Sequence, residues 1–69
     1  MQMTLKAARV NKGMTQAEAS VKLGISVATL QQYESGKTFP DVPVIKRIED
    51  TYDVPYSDIL WCLENTVKP

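Results

Sequence analysis

Histidine is missing from this sequence of 69 residues, and cysteine occurs once, as Cys62. A zinc site built from protein ligands takes several His, Cys or carboxylate side chains, and a disulfide within the chain takes two cysteines. The sequence also offers no Ser–His or Cys–His pair and no glycine-rich loop that could hold a phosphate. We therefore expect no metal, no cofactor, no internal disulfide and no enzymatic activity.

Long apolar runs are missing as well. No stretch approaches the ~20 apolar residues of a membrane-spanning helix, and the N-terminus lacks the charged-then-apolar layout of a secretory signal. We therefore expect a cytoplasmic protein with no membrane partner. The length fits a single domain over residues 1–69, with a core of limited size.

An excess of either charge is also absent, because eight basic residues balance eight acidic ones. Residues 1–40 carry five basic and two acidic side chains, a net charge of +3, whereas residues 41–69 carry three and six, a net charge of −3. A neutral total argues against a strong nucleic-acid binder. The uneven distribution would still orient the basic half toward a polyanion.

Two short amphipathic helix patterns lie within residues 15–35, joined by a turn that contains glycine. Thr15 can cap the first helix, and Glu18 completes a capping box. Gly24 tolerates the left-handed backbone that ends a helix, and Ser26 can cap the second helix. This spacing predicts a helix-turn-helix, whose second helix is shaped to enter the major groove of DNA.

Three further helices are predicted around this unit. The first spans about residues 4–11, the fourth follows a cap at Asp41, and the fifth covers about residues 56–63. No stretch alternates convincingly with a period of two, so we expect an all-α domain of five short helices. The predicted core comprises Leu5, Ala8, Met14, Ala19, Leu23, Ile25, Leu30, Phe39, Ile45, Ile48, Tyr52, Val54, Ile59 and Leu60.

The order of these features resembles the Cro/C1-type helix-turn-helix family, which includes phage repressors and xenobiotic-response-element-like proteins. The resemblance covers about residues 5–60. The most specific matches are Thr15-Gln16, Gly24, Tyr33-Glu34 and Gly36-Lys37. The resemblance implies a compact lambda-repressor-like fold and a sequence-specific regulator of double-stranded DNA, most similar to a phage or prophage repressor.

The resemblance also implies which residues meet DNA. Most contacts in such an interface go to phosphates, and a few side chains near the start of the recognition helix read base edges. Gln16 matches a phosphate donor, and Lys37 and Thr38 match positions beside the sugar-phosphate backbone; the alternative for each is an ordinary exposed residue. The candidate residues on or near helix 3 are Ser26, Val27, Ala28, Gln31 and Gln32.

Helix 3 offers glutamine rather than arginine or lysine for base recognition. Gln32 can form a bidentate pair with adenine, and Gln31 can reach either a base or the backbone. Val27 and Ala28 can contact only a thymine methyl group or the groove floor. Because no Arg or Lys lies between Ser26 and Glu34, we predict half-sites that contain A·T pairs rather than guanine recognition.

Arg9 and Glu34 have a structural role in the family that the sequence resembles. An arginine from helix 1 pairs there with the glutamate near the end of helix 3. The resemblance therefore implies that Arg9 clamps the recognition helix to the rest of the domain. Arg9 is accordingly not counted among the residues that contact DNA.

Dimerisation is expected because a domain of this size reads only a few base pairs. Two recognition helices would reach successive major grooves about 34 Å apart. The candidate interface residues are Tyr56, Trp61 and Leu63, since aromatic residues are frequent at interfaces. Alternatively, Trp61 covers one side of the core. Cys62 is expected to be a passive small hydrophobic residue.

Some features favour a second function. Ala19 and Ser20 occupy positions where family members carry Leu or a similar large residue and Ala, respectively, and the net charge is zero. Together these features lower the DNA affinity that we expect. The zero net charge and the Val27-Ala28 pair favour a protein-interaction module, or an antitoxin-like partner, that keeps the fold with weak DNA affinity. The sequence alone leaves both functions open.

Overall fold

Residues 2–61 are described by a computed structural model of the chain. In chain order they form a short strand β1 (Met3–Thr4), then α1 (Leu5–Asn11), α2 (Gln16–Leu23), α3 (Val27–Ser35) and α4 (Val42–Tyr52). A single 3₁₀ turn (Tyr56–Asp58) leads into strand β2 (Ile59–Leu60). Within the described residues no helix is long and apolar enough to cross a membrane.

The predicted caps are present at the starts of three helices. Thr15 accepts a hydrogen bond from the Glu18 backbone N–H at 3.1 Å, and the Glu18 carboxylate accepts one from the Thr15 N–H at 2.9 Å. Ser26 caps α3, and Asp41 caps α4. Each cap satisfies a backbone N–H that has no partner inside its own helix. These local signals explain why the starts of α2, α3 and α4 are predicted to within one residue.

The turn between α2 and α3 depends on the backbone conformation of Gly24. Its φ angle is 72°, in the left-handed region, and the Ile25 N–H donates to the Ser20 carbonyl at 3.0 Å. This hydrogen bond closes the end of α2 as a Schellman motif does. A Cβ atom added at Gly24 would meet nothing within 4 Å, so the backbone angle rather than close packing requires glycine here.

The predicted fifth helix is wrong. Tyr56–Asp58 forms one 3₁₀ turn, and β2 then pairs in parallel with β1, with Met3 opposite Ile59 and Thr4 opposite Leu60. The structure is therefore mostly helical, with four helices and two short strands across residues 2–61, rather than an all-α domain of five helices. No local pattern in the sequence signals this pairing, because it joins residues 56 positions apart. Cys62 and Leu63 lie outside the described residues.

Most of the predicted core is confirmed. The buried apolar residues of the described chain are Leu5, Ala8, Ala19, Leu23, Leu30, Val44, Ile48, Tyr52 and Ile59. Met14, Ile25 and Val54 are half-buried against them, and Ile45 is also half-buried.

Two core assignments are wrong, and one core residue was missed. Phe39 is 46% exposed, and Leu60 is 50% exposed. In a strand successive side chains point to opposite faces, so the burial of Ile59 turns Leu60 outward. On α4 the buried stripe runs through Val44, Ile48 and Tyr52 at four-residue spacing, so Val44 occupies the core position that the sequence analysis assigned to Ile45.

Candidate nucleic-acid interface

Helix α3 lies on the surface of the domain. Leu30 is the one residue of α3 that is buried, and the whole helix is within the described range. The exposed residues follow one another at helical spacing and are Val27, Ala28, Gln31, Gln32 and Ser35. A continuous face of this helix is thus available to a partner.

An open depression of about 290 Å³ follows this face. Ala28, Gln31, Gln32, Ser35 and Lys37 line it. We call these five residues, together with Val27, the recognition surface. It combines two amides, a hydroxyl and an ammonium group with two small apolar side chains. The amides can read base edges, and the ammonium group can contact phosphate.

Packing against α2 holds α3 in this position. Leu30 is completely buried, as are Ala19 and Leu23 of α2. Ser20 is buried as well, and its hydroxyl donates to the Ala17 carbonyl at 2.9 Å, so no polar atom of this side chain is left without a partner. The small residues at 19 and 20, which depart from the family pattern, therefore fit at the contact between the two helices.

Arg47 also contacts the helix-turn-helix, and no pattern in the sequence predicted this contact. Its Nε–H donates to the Leu23 carbonyl at the end of α2, at 3.0 Å. The last carbonyls of a helix have no partner inside the helix, so a cation there is stabilising. The two residues are 24 positions apart, and no local pattern could indicate their contact.

Arg9 and Glu34 form a buried ion pair. Arg9 Nε donates to Glu34 Oε2 at 2.7 Å and Nη2 donates to Oε1 at 3.3 Å, while Nη1 donates to the Met14 carbonyl at 2.9 Å. The two side chains are 8% and 5% exposed. The hydrogen bond to Glu34 raises the pKa of Arg9 above its ordinary value. Helix α1 thus contacts the last turn of α3 through the two residues that the resemblance paired, while their role as a clamp remains a prediction.

Gln16 is not an isolated surface residue. Its Nε2 donates to Glu34 Oε1 at 3.0 Å, and its Oε1 accepts from Gln31 Nε2 at 3.2 Å. Gln16 stands at the first position of α2, where free backbone N–H groups favour a nearby anion. The structure therefore brings together the candidate phosphate contact Gln16 and the candidate base contact Gln31.

Ser26 and Thr38 have fewer free hydrogen-bonding groups than the sequence suggested. The Ser26 hydroxyl accepts from the Thr29 N–H at 3.1 Å and donates to Thr29 Oγ1 at 2.9 Å. The Thr38 N–H donates to the Gln32 carbonyl at 3.4 Å, as does the Lys37 N–H at 2.9 Å. Thr38 is exposed, so its hydroxyl is the group it can offer to a phosphate.

Tyr52 lies behind the ion pair. Its side chain is buried, and its hydroxyl has no hydrogen-bond partner among the described residues. Burial and, to a smaller extent, the negative charge of Glu34 raise the pKa of Tyr52, and the positive charge of Arg9 lowers it; the net result is a pKa of about 12. The Tyr52 hydroxyl therefore stays neutral near pH 7 and adds no charge to the interior of the domain.

A second surface is almost entirely apolar. Phe39, Pro40, Val42, Ile45 and Tyr56 line an open groove of about 520 Å³, with Asp41 as the polar residue at its edge. We call these five residues the apolar surface. Its aromatic rings also contact Trp61, which lies 4.8 Å from Phe39 and 5.8 Å from Tyr56 between ring centroids.

Trp61 is half-buried, consistent with the alternative in which it covers one side of the core. Its indole Nε1 is buried without a partner in residues 2–61. Of the other two candidate dimer residues, Tyr56 is exposed, and Leu63 lies outside the described residues.

Within residues 2–61, no group of three or more acidic or sulfur ligands is placed to hold a metal ion.

Comparison with known families assigns the fold of this interface. A helix-turn-helix family model matches residues 5–59, which is most of the chain. The chain belongs to the Cro/C1-type helix-turn-helix family. Members of this helix-turn-helix family are regulatory domains that bind double-stranded DNA, and the family is not one of enzymes. No curated protein and no solved structure matches the chain.

Proposed function

We propose that this helix-turn-helix protein, as one domain over residues 1–69, is a sequence-specific regulator of transcription of the phage or prophage repressor kind. Helix α3 enters the major groove of duplex DNA. The observation that carries this proposal is the exposed polar face of α3, a helix whose Glu34 forms a buried ion pair with Arg9 of α1. A cytoplasmic location, with association to the nucleoid when DNA is bound, remains a prediction.

The dimensions of α3 support this proposal. An α-helix with its side chains is ~10–12 Å in diameter, which matches the ~12 Å width of the major groove, and the nine residues of α3 at ~1.5 Å each make it about 13 Å long. The helix presents its exposed face along the full length from Val27 to Ser35. A helix of this diameter can lie in the major groove.

The side chains of the recognition surface define the proposed contacts. Gln32 pairs with adenine through its amide, and Gln31 adds a second amide to the same groove. Val27 and Ala28 contact thymine methyl groups. The residues that lie toward the phosphates and set the register of the protein on the duplex are Gln16, Lys37 and Thr38. Ser26 can donate its hydroxyl to a phosphate only by giving up its hydrogen bond to Thr29. This arrangement favours operators that contain A·T pairs.

We also propose a homodimer formed through Tyr56, Trp61 and Leu63. Tyr56 is 42% exposed, lines the apolar surface and contacts Trp61. An exposed apolar patch of this kind is typical of an interaction site. A two-fold dimer would present two copies of α3 to half-sites about one helical turn apart.

The decisive experiment selects bound duplexes from a random DNA pool at near-physiological salt. We expect a palindromic motif with A·T pairs in each half-site. Binding to the selected duplex should weaken steeply with salt, and Lys37→Ala should reduce the slope of log K against log salt by about 0.9 for the one lost phosphate contact. Lys46→Ala, on the exposed side of α4, removes the same charge and should leave the slope unchanged. The absence of any enriched motif would overturn the proposal.

A protein-interaction module or antitoxin-like partner is the second candidate. Two features favour this candidate: the groove of about 520 Å³ that the apolar surface lines, and the zero net charge of the chain. A chain with this function would bind all duplexes equally weakly, even in dilute buffer. The same salt titration therefore separates the two candidates, because only the regulator retains a preferred motif as salt rises.

A further inference from the structure

A continuous run of hydrogen bonds connects the buried ion pair with the recognition surface. Arg9 donates to Glu34, Gln16 donates to Glu34 at 3.0 Å, and Gln31 donates to Gln16 at 3.2 Å. We call these four side chains the relay. It begins at a guanidinium and a carboxylate that are almost fully buried and ends at an exposed amide on α3.

The chemistry of Glu34 determines the direction of every hydrogen bond in the relay. A carboxylate can only accept, so Gln16 must turn its NH₂ group rather than its carbonyl toward Glu34. The Gln16 carbonyl then faces Gln31, which must in turn present its own NH₂ group. The two amide orientations, which are usually ambiguous between oxygen and nitrogen, thus follow from one buried charge.

This direction suits Gln16 to a phosphate. Its carbonyl accepts from Gln31, and one of its two N–H groups donates to Glu34. The remaining N–H can only donate, and phosphate oxygens only accept. Gln31 retains its carbonyl and one N–H, which match the N6 donor and N7 acceptor of adenine.

We propose that Gln16 and Gln31 contact DNA as one coupled unit and that Glu34 is the positioning residue that orients both. This inference rests on the proposed function and names how its phosphate and base contacts are linked. When Gln31 contacts a base, the phosphate contact of Gln16 becomes stronger, because the two amides share a hydrogen bond. For the same reason, the phosphate contact of Gln16 strengthens the base contact of Gln31. Glu34 influences DNA binding although its own carboxylate is buried.

A double-mutant cycle on DNA binding tests the coupling. We expect the variant that combines Gln16→Ala with Gln31→Ala to bind the selected duplex at least ~3-fold more tightly than the product of the two single losses predicts. The matched control cycle combines Gln16→Ala with Lys37→Ala. Lys37 is also a candidate backbone contact but lies outside the relay, so these losses should multiply to within ~2-fold.

Two further measurements separate positioning from folding. The side-chain NH₂ signals of Gln16 in the free protein should shift on Gln31→Ala and stay in place on Lys37→Ala. In a Glu34→Gln background, Gln16→Ala should weaken DNA binding less than it does in the wild type, because the neutral amide no longer imposes one orientation. A thermal melting curve of each variant checks that the variant is folded at the temperature of the binding measurement.

The outcomes distinguish the two proposals. A wild-type chain that binds no duplex overturns the proposed function and the relay together. Sequence-specific binding with a Gln16–Gln31 cycle as multiplicative as the control cycle overturns the relay alone. Coupling in the first cycle, with none in the control, supports it.

Discussion

The recognition surface and the apolar surface differ in how their side chains are held. On the recognition surface, the amide of Gln31 is linked through Gln16 to the ion pair of Arg9 and Glu34. On the apolar surface, Phe39 and Tyr56 contact Trp61 through their rings. Hydrogen bonds require a direction, whereas apolar contact does not. The first surface therefore suits the reading of a defined pattern of donors and acceptors, and the second suits association.

Fewer cations are available to DNA than the composition of residues 1–40 suggests. This segment carries a net charge of +3, but one of its cations, Arg9, is buried against Glu34. Because that charge is buried and paired, it is not available to a phosphate. The recognition surface consequently relies on Lys37 and on neutral donors. Uncharged donors fix position but release no counterions, so we expect the affinity for DNA to be modest.

Removing the support of the recognition surface should have the largest effect. Arg9→Ala leaves the Glu34 carboxylate buried without its cation, which typically costs about 3–5 kcal/mol of the free energy of unfolding. For a domain of this size the melting temperature should fall by at least ~12 °C. Thermal denaturation followed by circular dichroism measures the change.

The matched control is Lys12→Ala. Lys12 and Asp53 form a pair at 3.8 Å whose side chains are 38% and 87% exposed. An exposed pair contributes little, so stability should change by less than about 0.5 kcal/mol. Equal melting curves for Arg9→Ala and wild type would show that the ion pair does not clamp α3.

The next largest effect is expected within the recognition surface. Gln32→Ala should cost about 1–3 kcal/mol of binding free energy at one base position and little at the others. Competition binding against duplexes that differ at single positions measures this loss. Val10→Ala, on the exposed side of α1, is the control and should leave the sequence preference unchanged. A Gln32→Ala protein with wild-type preference at every position would remove Gln32 from the base contacts.

A smaller effect should distinguish the apolar surface. Tyr56→Ala removes an exposed ring of the proposed dimer interface and should weaken self-association roughly tenfold, or about 1.4 kcal/mol. Sedimentation equilibrium measures the dimer. Binding to a duplex with one half-site should be unaffected, while binding to two half-sites weakens. A chain that is monomeric before and after the substitution would exclude this interface.

The smallest effect concerns the buried hydroxyl behind the ion pair. The unfolded chain releases the Tyr52 proton near pH 10, whereas the folded chain retains it up to a pKa of about 12. Between these values the unfolded state binds fewer protons, so the free energy of unfolding falls as pH rises. Tyr52→Phe should flatten this alkaline loss and, because the hydroxyl has no partner among the described residues, should cost no more than about 1 kcal/mol at pH 7. Denaturant titrations at pH 7 and pH 11 measure both effects, and an unchanged alkaline slope would contradict this account.

The sequence predicted interactions between residues that are close along the chain and did not predict those between distant residues. The caps Thr15, Ser26 and Asp41 bond to N–H groups three residues further on, and all three are confirmed. By contrast, the apolar spacing of Ile59 and Leu60 suits a helix as well as a strand. The pairing with Met3–Thr4 decides between them, and no nearby residue signals it.

The candidate site divides in the same way. Resemblance to the family paired Arg9 with Glu34 and identified Gln16 separately, and the structure adds that Glu34 accepts hydrogen bonds from both. The contact between Gln31 and Gln16 joins residues 15 apart on different helices. Its existence depends on the angle between α2 and α3, which residue spacing does not specify.

The sequence by itself determined the helix-turn-helix, because the hydrogen bonds of the capping residues and of the glycine turn join residues no more than five positions apart. Only the tertiary structure decided the strand at Ile59–Leu60, the outward position of Phe39 and the relay from Arg9 to Gln31. Each of these depends on which segments meet after the chain has folded. Contacts of that kind are set by the burial of the whole core rather than by the preferences of neighbouring residues.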